Sequence, residues 1–238
     1  MTSGGPIPPG VRTAPPPVPG GTRVVLVRHG EAACNADGIV GGRRGCTGLT
    51  EQGAAQVDAL ARRLAASGEM AGVDALYASF LPRAIETAEL LAPALDRWRD
   101  GPPLDVVPDC DLCELHPGAA DGLRWEEFAA RFGEPRWDED PSHPLAPGGE
   151  SWTEFVDRSA RAVERVGDAH PGGLVVVACH AGVVESTMLR FLGIPLTRLK
   201  LRTAHASLTE WERDPASGRW RLLRYNDATP LDEDPAQP

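Results

Sequence analysis

Two apolar runs of this chain end in the same way, each in a histidine that glycine follows within two residues. The first run, residues 23–28, leads into His29, and the second, residues 174–179, leads into His180. A continuous run of aliphatic residues closed by a turn is typical of a strand that is buried on both faces of a parallel sheet. Because ligands bind beyond the carboxyl ends of such strands, we expect both histidines at one site.

Two arginines indicate which chemistry such a site would carry out. Arg28 directly precedes His29, and Arg83 opens a predicted helix at the exit of another predicted strand. Guanidinium groups bind pairs of phosphate oxygens, and a neutral imidazole is a competent nucleophile toward phosphorus when another group fixes its tautomer. Transfer of a phosphoryl group depends mainly on neutralising its charge. The sequence therefore predicts a site that binds a phosphoryl group and requires no cofactor and no metal ion.

The elements that must position these residues alternate along the chain. Strands are predicted at residues 23–28, 73–78, 104–107 and 174–179, and a hairpin at residues 207–212 and 219–225 around the turn 214–218. Helices are predicted from Glu51 to Gly68, from Pro82 onward and from Trp152 to about Gly167. This alternation predicts an α/β fold, a three-layer sandwich whose mostly parallel central sheet has helices on both faces and an antiparallel edge strand.

The composition predicts one folded domain with loose ends. Residues 1–21 are rich in Pro and Gly and are predicted to be disordered, residues 22–226 to form the single domain, and residues 227–238 to form a flexible acidic tail. A region at about residues 116–150 interrupts the alternation and resembles a lid. It carries Trp125, Phe128, Phe132 and Trp137, with Trp152 and Phe155 just beyond it. Two alternatives stay open, a lid over the crevice and an insertion that packs its aromatics into a satellite core.

Charge and cysteine content exclude several classes of function. The net charge of -10 repels a polyanion, which argues against a nucleic-acid partner. No apolar stretch approaches the roughly 18 residues of a membrane helix, and the start lacks the features of a secretory signal. Five cysteines without framework spacing fit reduced thiols, so we expect a cytoplasmic protein that has no membrane partner.

One cysteine pattern suggests a different chemistry. Cys110 and Cys113, with His116 three residues further on, have the spacing of metal or redox ligands. No second pair completes a four-ligand set, so the sequence predicts no metal site. The alternative, a redox or metal protein that uses Cys110, Cys113 and Cys179, predicts metal in the purified protein or thiol-dependent activity.

The motif at residues 28–31, Arg-His-Gly-Glu, together with Asn35, resembles the signature of the histidine phosphatase superfamily, the phosphoglycerate mutase-like proteins. Further matching segments follow in the family's order at residues 49–53, 79–84, 87–88 and 149–151, and at His180. The resemblance spans most of the predicted domain. It implies that His29 attacks phosphorus and becomes phosphohistidine, while Arg28, Arg83 and His180 hold the equatorial oxygens. It also implies phosphate contacts from Asn35, Gly42 and the backbone amide of Ala181.

The resemblance is less specific at the general acid than at the histidines and arginines. The segment Leu112-Cys-Glu114 resembles the family's Leu-x-Glu segment, which makes Glu114 the candidate to protonate the leaving oxygen and then activate water. Its alternatives are Glu126, Glu127 and Asp111. The neighbouring pair Arg43 and Arg44 has two interpretations, contact with a second anionic group of the substrate or an ordinary solvated loop.

Within the family the sequence favours hydrolysis over transfer. Cofactor-dependent mutases carry Trp before the motif asparagine, whereas Cys34 stands there in this chain. We therefore predict a metal-independent phosphatase that acts on a small-molecule phosphomonoester. The alternatives are mutase-type phosphoryl transfer and an inactive protein that only binds a phospho-ligand. The family resemblance also suggests a homodimer.

Overall fold

The computed structural model describes residues 18–229, so most of the two predicted terminal segments lies outside it. The strands are β1 (Thr22–Arg28), β2 (Ala75–Ser79), β3 (Val106–Asp109), β4 (Leu174–Cys179), β5 (Leu208–Arg213) and β6 (Trp220–Asp227). The helices are α1 (Ala33–Ala36), α2 (Glu51–Ser67), α3 (Pro82–Asp96), α4 (Trp125–Phe132), α5 (Trp152–Ala169) and α6 (Ala181–Phe191). Short 3-10 turns lie at Cys110–Leu112 and Gly118–Ala120.

The six strands form one sheet in the order β3-β2-β4-β1-β5-β6. The pairs β3 with β2, β2 with β4, and β4 with β1 are parallel, whereas β5 runs antiparallel to β1 and β6 antiparallel to β5. The predicted fold is therefore confirmed, and the antiparallel edge consists of the whole β5–β6 hairpin. None of the described helices has the length and hydropathy that a membrane crossing requires.

Helices cover both faces of the sheet because neighbouring side chains of each central strand point in opposite directions. In β1, Val25 and Val27 belong to the core shared with α2 and α3. Val24 and Leu26 belong to the core shared with α5 and α6. β4 is buried at every residue, as a strand between two helical layers must be. The central strands are thereby fixed in the sheet from both sides.

Local signals set the ends of the long helices. The Thr50 side chain accepts a hydrogen bond from the Gly53 N–H at 2.9 Å, and Gly68 ends α2 with a φ of 64°. Ser151 begins α5 through a capping box with Glu154. Pro82 occupies the first turn of α3, where its missing N–H costs nothing. Each of these starts was predicted from the sequence.

Elements that depend on distant partners differ from the prediction. β3 begins two residues later than the predicted strand because its ladder with β2 pairs Leu76 with Val106 and Ser79 with Asp109. The sequence did not predict α4, which lies inside the predicted insertion, nor α6, which follows His180. β6 extends to Asp227, one residue beyond the predicted end of the domain, where its carboxylate pairs with Arg63 at 2.6 Å.

Candidate active site

The two histidines meet because their strands are direct neighbours. β1 and β4 pair in parallel with Arg28 opposite Cys179, and the His29 N–H donates to the Cys179 carbonyl at 3.0 Å. His29 and His180 follow at the same edge of the sheet, and their ring centroids lie 5.1 Å apart in an edge-to-face arrangement. Both side chains are buried. The expected convergence of the two strand ends is found.

The exit of β1 packs directly against the start of α2. A Cβ on Gly30 would overlap the carbonyl of Gly53, and a Cβ on Gly53 would overlap the backbone of Glu31. Glycine is therefore required at both positions for the two backbones to approach this closely. The contact holds the segment that carries His29 against a long, capped helix.

Two hydrogen bonds determine the tautomer of His29. Its Nδ1 lies 2.6 Å from the Gly30 carbonyl oxygen, which can only accept, so Nδ1 carries the proton. The Nε2 atom of the neutral ring then accepts from Nε of Arg83 at 3.1 Å. The in-plane lone pair of the imidazole is thus on Nε2, where it accepts this hydrogen bond from the guanidinium. This is the tautomer and the position of a nitrogen nucleophile that attacks a bound anion.

Arg83 lies in the first turn of α3 and is buried. Besides its bond to His29, it donates from Nη1 to the Gly41 carbonyl at 2.8 Å. Arg28, the last residue of β1, donates from Nη1 to the Thr203 carbonyl, while its buried Nε has no hydrogen-bond partner within residues 18–229. Both guanidinium groups line one cavity together with His29. Two cations beside a neutral imidazole form a strongly anion-attracting site.

His180 begins α6 and contacts the end of β2. Its Nε2 lies 2.7 Å from Oγ of Ser79, a hydroxyl that is itself buried. When this hydroxyl donates to Nε2, the neutral ring carries its proton on Nδ1. Nδ1 is buried and has no hydrogen-bond partner in the described part of the chain. That N–H is then available for an oxygen of a bound phosphoryl group.

Burial and neighbouring cations keep these imidazoles neutral. Burial first and the Arg83 guanidinium second lower the pKa of His29 well below its usual range, and the same two causes lower the pKa of His180. A third imidazole, His205, lies with its ring centroid 5.8 Å from that of His29. Burial and then Arg28 lower the pKa of His205 to about 4. At neutral pH His29 therefore stays unprotonated.

Glu114 lies against the start of α6. Its Oε2 accepts from the Gly182 N–H at 3.1 Å, and its Oε1 from the Leu115 N–H at 3.1 Å. A Cβ at position 182 would overlap the Glu114 carboxylate, so this contact requires glycine there. Glu114 lines the same cavity as His29 and Arg28.

The three alternative acids lie elsewhere. Asp111 pairs with Arg165 at 3.1 Å, and Glu127 accepts from the Arg124 N–H at 3.2 Å in the capping box of α4. Glu126 is exposed in the first turn of α4. None of these three carboxylates lines the cavity that holds His29. Among the predicted candidates, the geometry therefore favours Glu114.

The predicted phosphate contacts divide into two groups. Asn35 and Ala181 line the cavity, and Asn35 Oδ1 accepts from the Ala32 N–H at 3.2 Å, which leaves its NH2 group to donate. Gly42 does not line it, because its N–H bonds the Val40 carbonyl and the residue faces a neighbouring cavity. The residue whose carbonyl contacts Arg83 is Gly41 instead. Arg43 and Arg44 also line the neighbouring cavity.

The cavity has a volume of about 440 Å³ and extends from His29 into the aromatic region, whereas His180 is fully buried and does not line it. Trp137 stacks on Trp152 with ring centroids 5.7 Å apart, and both belong to the large core cluster and line the cavity. Trp125 also lines the cavity but is 51% exposed. The two interpretations of this region are therefore not exclusive, because its aromatics pack into a core and present surface to the cavity.

Sequence reasoning missed several residues of this site. Ser79, Thr203 and His205 contact or approach the predicted group, and Arg198 and Glu185 line the distal part of the cavity. Ser79 offered a signal, since it stands at the end of a predicted strand like the two histidines. For His205 and Arg198 no spacing pattern marks a role, because both lie on the irregular segment between α6 and β5.

Comparison with protein-family models matches residues 24–228 to the histidine phosphatase superfamily, branch 1. The chain belongs to this superfamily. Phosphoglycerate mutase-like protein 4 of Arabidopsis thaliana is 30% identical over 217 residues, which cover 88% of this chain and 87% of that protein. The metal-independent phosphoserine phosphatase of the same plant is 36% identical over 172 residues, which cover 71% of this chain and 68% of that protein.

A solved structure leads to the same family. The mycobacterial glucosyl-3-phosphoglycerate phosphatase in complex with VO3 superposes with a TM-score of 0.70 at 28% identity, covering 87% of this chain and 99% of that one. The predicted superfamily and the predicted class of phosphoric monoester hydrolases are therefore confirmed.

Proposed function

We propose that this member of the superfamily hydrolyses a small-molecule phosphomonoester through a phosphohistidine at His29, with no metal ion in the reaction. The observation that carries the proposal is the hydrogen bonding of His29. Its Nδ1 donates to a carbonyl at 2.6 Å, so the Nε2 lone pair lies beside the Arg83 guanidinium. A neutral nucleophile among fixed cations suits attack on a phosphoryl dianion.

In the first step the Nε2 lone pair attacks phosphorus opposite the leaving oxygen. The N–P bond forms and the P–O bond to the leaving group breaks, and the bonding electron pair goes to that oxygen. Glu114, when protonated, gives its proton to the oxygen, so a neutral alcohol departs. Arg28, Arg83 and the Nδ1–H of His180 stabilise the charge on the three equatorial oxygens.

In the second step the Glu114 carboxylate takes a proton from water, and the oxygen of that water attacks the phosphohistidine. The N–P bond breaks, inorganic phosphate leaves, and His29 returns to its neutral tautomer. Asn35 and Ala181 complete the phosphate contacts in this proposal. The distal part of the cavity holds the leaving group, and its tryptophans suit a partly apolar one.

We also propose that the protein lies in the cytoplasm and forms a homodimer. All five cysteines are free thiols, which suits the reducing cytoplasm. β3 is the outermost strand at one side of the sheet, and Val107 on it is 43% exposed. We propose that two copies pair at this edge, and size-exclusion chromatography with light scattering gives the assembly mass that tests it.

The decisive experiment measures release of inorganic phosphate from a panel of phosphorylated metabolites in the presence of a chelator. The panel includes phosphoserine and glucosyl-3-phosphoglycerate, because these compounds appear in the names of the two similar phosphatases described above. His29→Ala removes the nucleophile and should abolish turnover, whereas His143→Ala, an exposed histidine outside the cavity, should leave it unchanged. Acid-labile phosphate on the wild-type chain should identify the intermediate.

Other outcomes would redirect the proposal. Full activity of His29→Ala would exclude the phosphohistidine mechanism. Transfer of the phosphoryl group to a second hydroxyl of the substrate, without release, would favour a mutase. Tight binding of phosphorylated compounds with neither release nor transfer would favour an inactive binding protein.

A further inference from the structure

A second group of reactive side chains lies outside the phosphate cavity. The 3-10 turn Cys110–Leu112 follows β3 and brings the thiols of Cys110 and Cys113 to the same side, since residues three apart eclipse in this conformation. Their Sγ atoms lie 3.7 Å apart, and Nε2 of His116 lies 3.7 Å from Sγ of Cys110. All three atoms lie within 4.8 Å of one another.

Two of the three separations match those of a tetrahedral metal site. An ion about 2.3 Å from each sulfur and about 2.1 Å from nitrogen holds two sulfurs about 3.8 Å apart, and a sulfur and a nitrogen about 3.6 Å apart. The two measured separations of 3.7 Å fall at these values. Two thiolates and one imidazole bind Zn²⁺ in preference to Mg²⁺ or Ca²⁺, which favour oxygen ligands.

The loop that carries the three side chains is held in place by an arginine. The Nη1 atom of Arg158 donates to the carbonyls of Cys110 at 3.3 Å, Asp111 at 2.8 Å and Cys113 at 3.2 Å. The backbone between the two thiols is therefore fixed before any ion binds. Preorganisation of this kind lowers the cost of ordering the ligands.

The ring of His116 has a carboxylate on its other side. Its Nδ1 lies 3.5 Å from Oε2 of Glu150, while its Nε2 is the atom near Cys110. Glu150 is in turn held by Arg158, with contacts of 2.6 and 2.7 Å, and by the His116 N–H at 2.8 Å. A carboxylate on this side favours the tautomer with its proton on Nδ1, which leaves Nε2 to bind metal.

Access and charge are also compatible with an ion. The three side chains line a cavity of about 420 Å³ that adjoins the loop around Arg43 and Arg44. Nη2 of Arg43 lies 4.0 Å from Sγ of Cys110. Two thiolates and a divalent ion carry no net charge, so the nearby cation does not oppose the loaded site.

We propose that Cys110, Cys113 and His116 bind one Zn²⁺, with the fourth position open to the neighbouring cavity. The site is separate from the phosphoryl chemistry, because none of its three residues lines the cavity that holds His29. It approaches His180 through one hydroxyl, since Ser79 Oγ lies 3.4 Å from Cys113 Sγ and 2.7 Å from His180 Nε2.

The test uses the full chain, reduced and stripped of metal, and titrates it with Zn²⁺ against a chromophoric chelator. We expect one Zn²⁺ per chain. Co²⁺ in its place should give the charge-transfer absorption of a thiolate bound to cobalt. Cys110→Ser and His116→Gln should each weaken Zn²⁺ binding at least about tenfold. Both positions are partly exposed, so thermal melting should show that these variants fold.

Cys46→Ala is the matched control. Cys46 packs in the same small cluster as Cys113 but does not belong to the three-ligand group. This variant should bind Zn²⁺ like the wild type. An equal loss in Cys46→Ala would overturn the assignment, as would a cobalt spectrum without the thiolate band. Absence of stoichiometric binding by the reduced wild type would also refute the site.

Discussion

The two ends of the substrate cavity are built in different ways. At the phosphate end, His29 and His180 follow adjacent central strands, and Arg83 lies in the first turn of a helix; all three are buried. At the distal end, Trp125, Leu145 and Leu201 come from the short helix α4 and from loops. The first end is fixed by the sheet, whereas the second depends on irregular segments.

This difference separates reaction from selectivity. The sheet can hold a phosphoryl group in one geometry whatever alcohol it is attached to. Loops tolerate change in length and sequence because few ladder bonds depend on them. Changes at the phosphate end should therefore reduce turnover of every substrate, and changes at the distal end should alter which substrate binds.

Among changes that keep the nucleophile, the largest effect is expected for Glu114→Gln. Without a proton donor, an alkyl phosphate with a poor leaving group should lose about 10²- to 10⁴-fold in kcat, whereas an aryl phosphate should lose far less in the first step. Rates for both ester classes, compared with those of Glu127→Gln as the control, give the measurement. Equal losses on the two classes would mean that another group is the acid.

Arg83→Gln is expected to have the next largest effect. It removes a charge that contacts the nucleophile and stabilises the transferring phosphoryl group, so kcat should fall by about 10²- to 10³-fold for all substrates alike. Arg44→Gln, whose side chain is 69% exposed, should behave like the wild type. A loss in Arg83→Gln confined to one substrate would contradict the separation of the two ends.

The acid limb of the pH profile tests the environment of His29. Because burial and Arg83 lower its pKa, the nucleophile stays neutral as the pH falls through 6.5 and is lost only below that, about tenfold per pH unit. In Arg83→Gln the second largest of these causes is gone, so the limb in kcat/KM should move to higher pH. Ionisation of the substrate is the same in both proteins, so an unmoved limb would refute the assignment.

Trp125→Ala should have the smallest effect. It removes a half-exposed ring from the distal end, so KM for substrates with bulky or aromatic leaving groups should rise several-fold while kcat on a small alkyl phosphate stays unchanged. Phe80→Ala, an exposed aromatic outside that cavity, serves as the control. A uniform fall in kcat would show that Trp125 positions the phosphate end.

The sequence was informative wherever structure follows from local contacts. The cap at Thr50 and the glycine at position 68 define α2, and two apolar runs ending in histidine indicate the site. The strand end at Ser79 was a signal, but the contact of its hydroxyl with His180 and the position of His205 beside His29 could not be predicted. Their roles depend on contacts between residues about 100 or more positions apart, and no pattern within one element encodes those.

The distance between the two histidines does not depend on the chain that separates them. It is set by the rungs between β1 and β4, in which Val24 faces Val175 and Arg28 faces Cys179. The aromatic region at residues 116–150 lies between β3 and α5 and adds no strand to the sheet. Residues can therefore be added to or removed from it without changing the distance between the two histidines. Under the proposed function, changes in this region alter which substrate binds, while the residues at the phosphate end keep their positions.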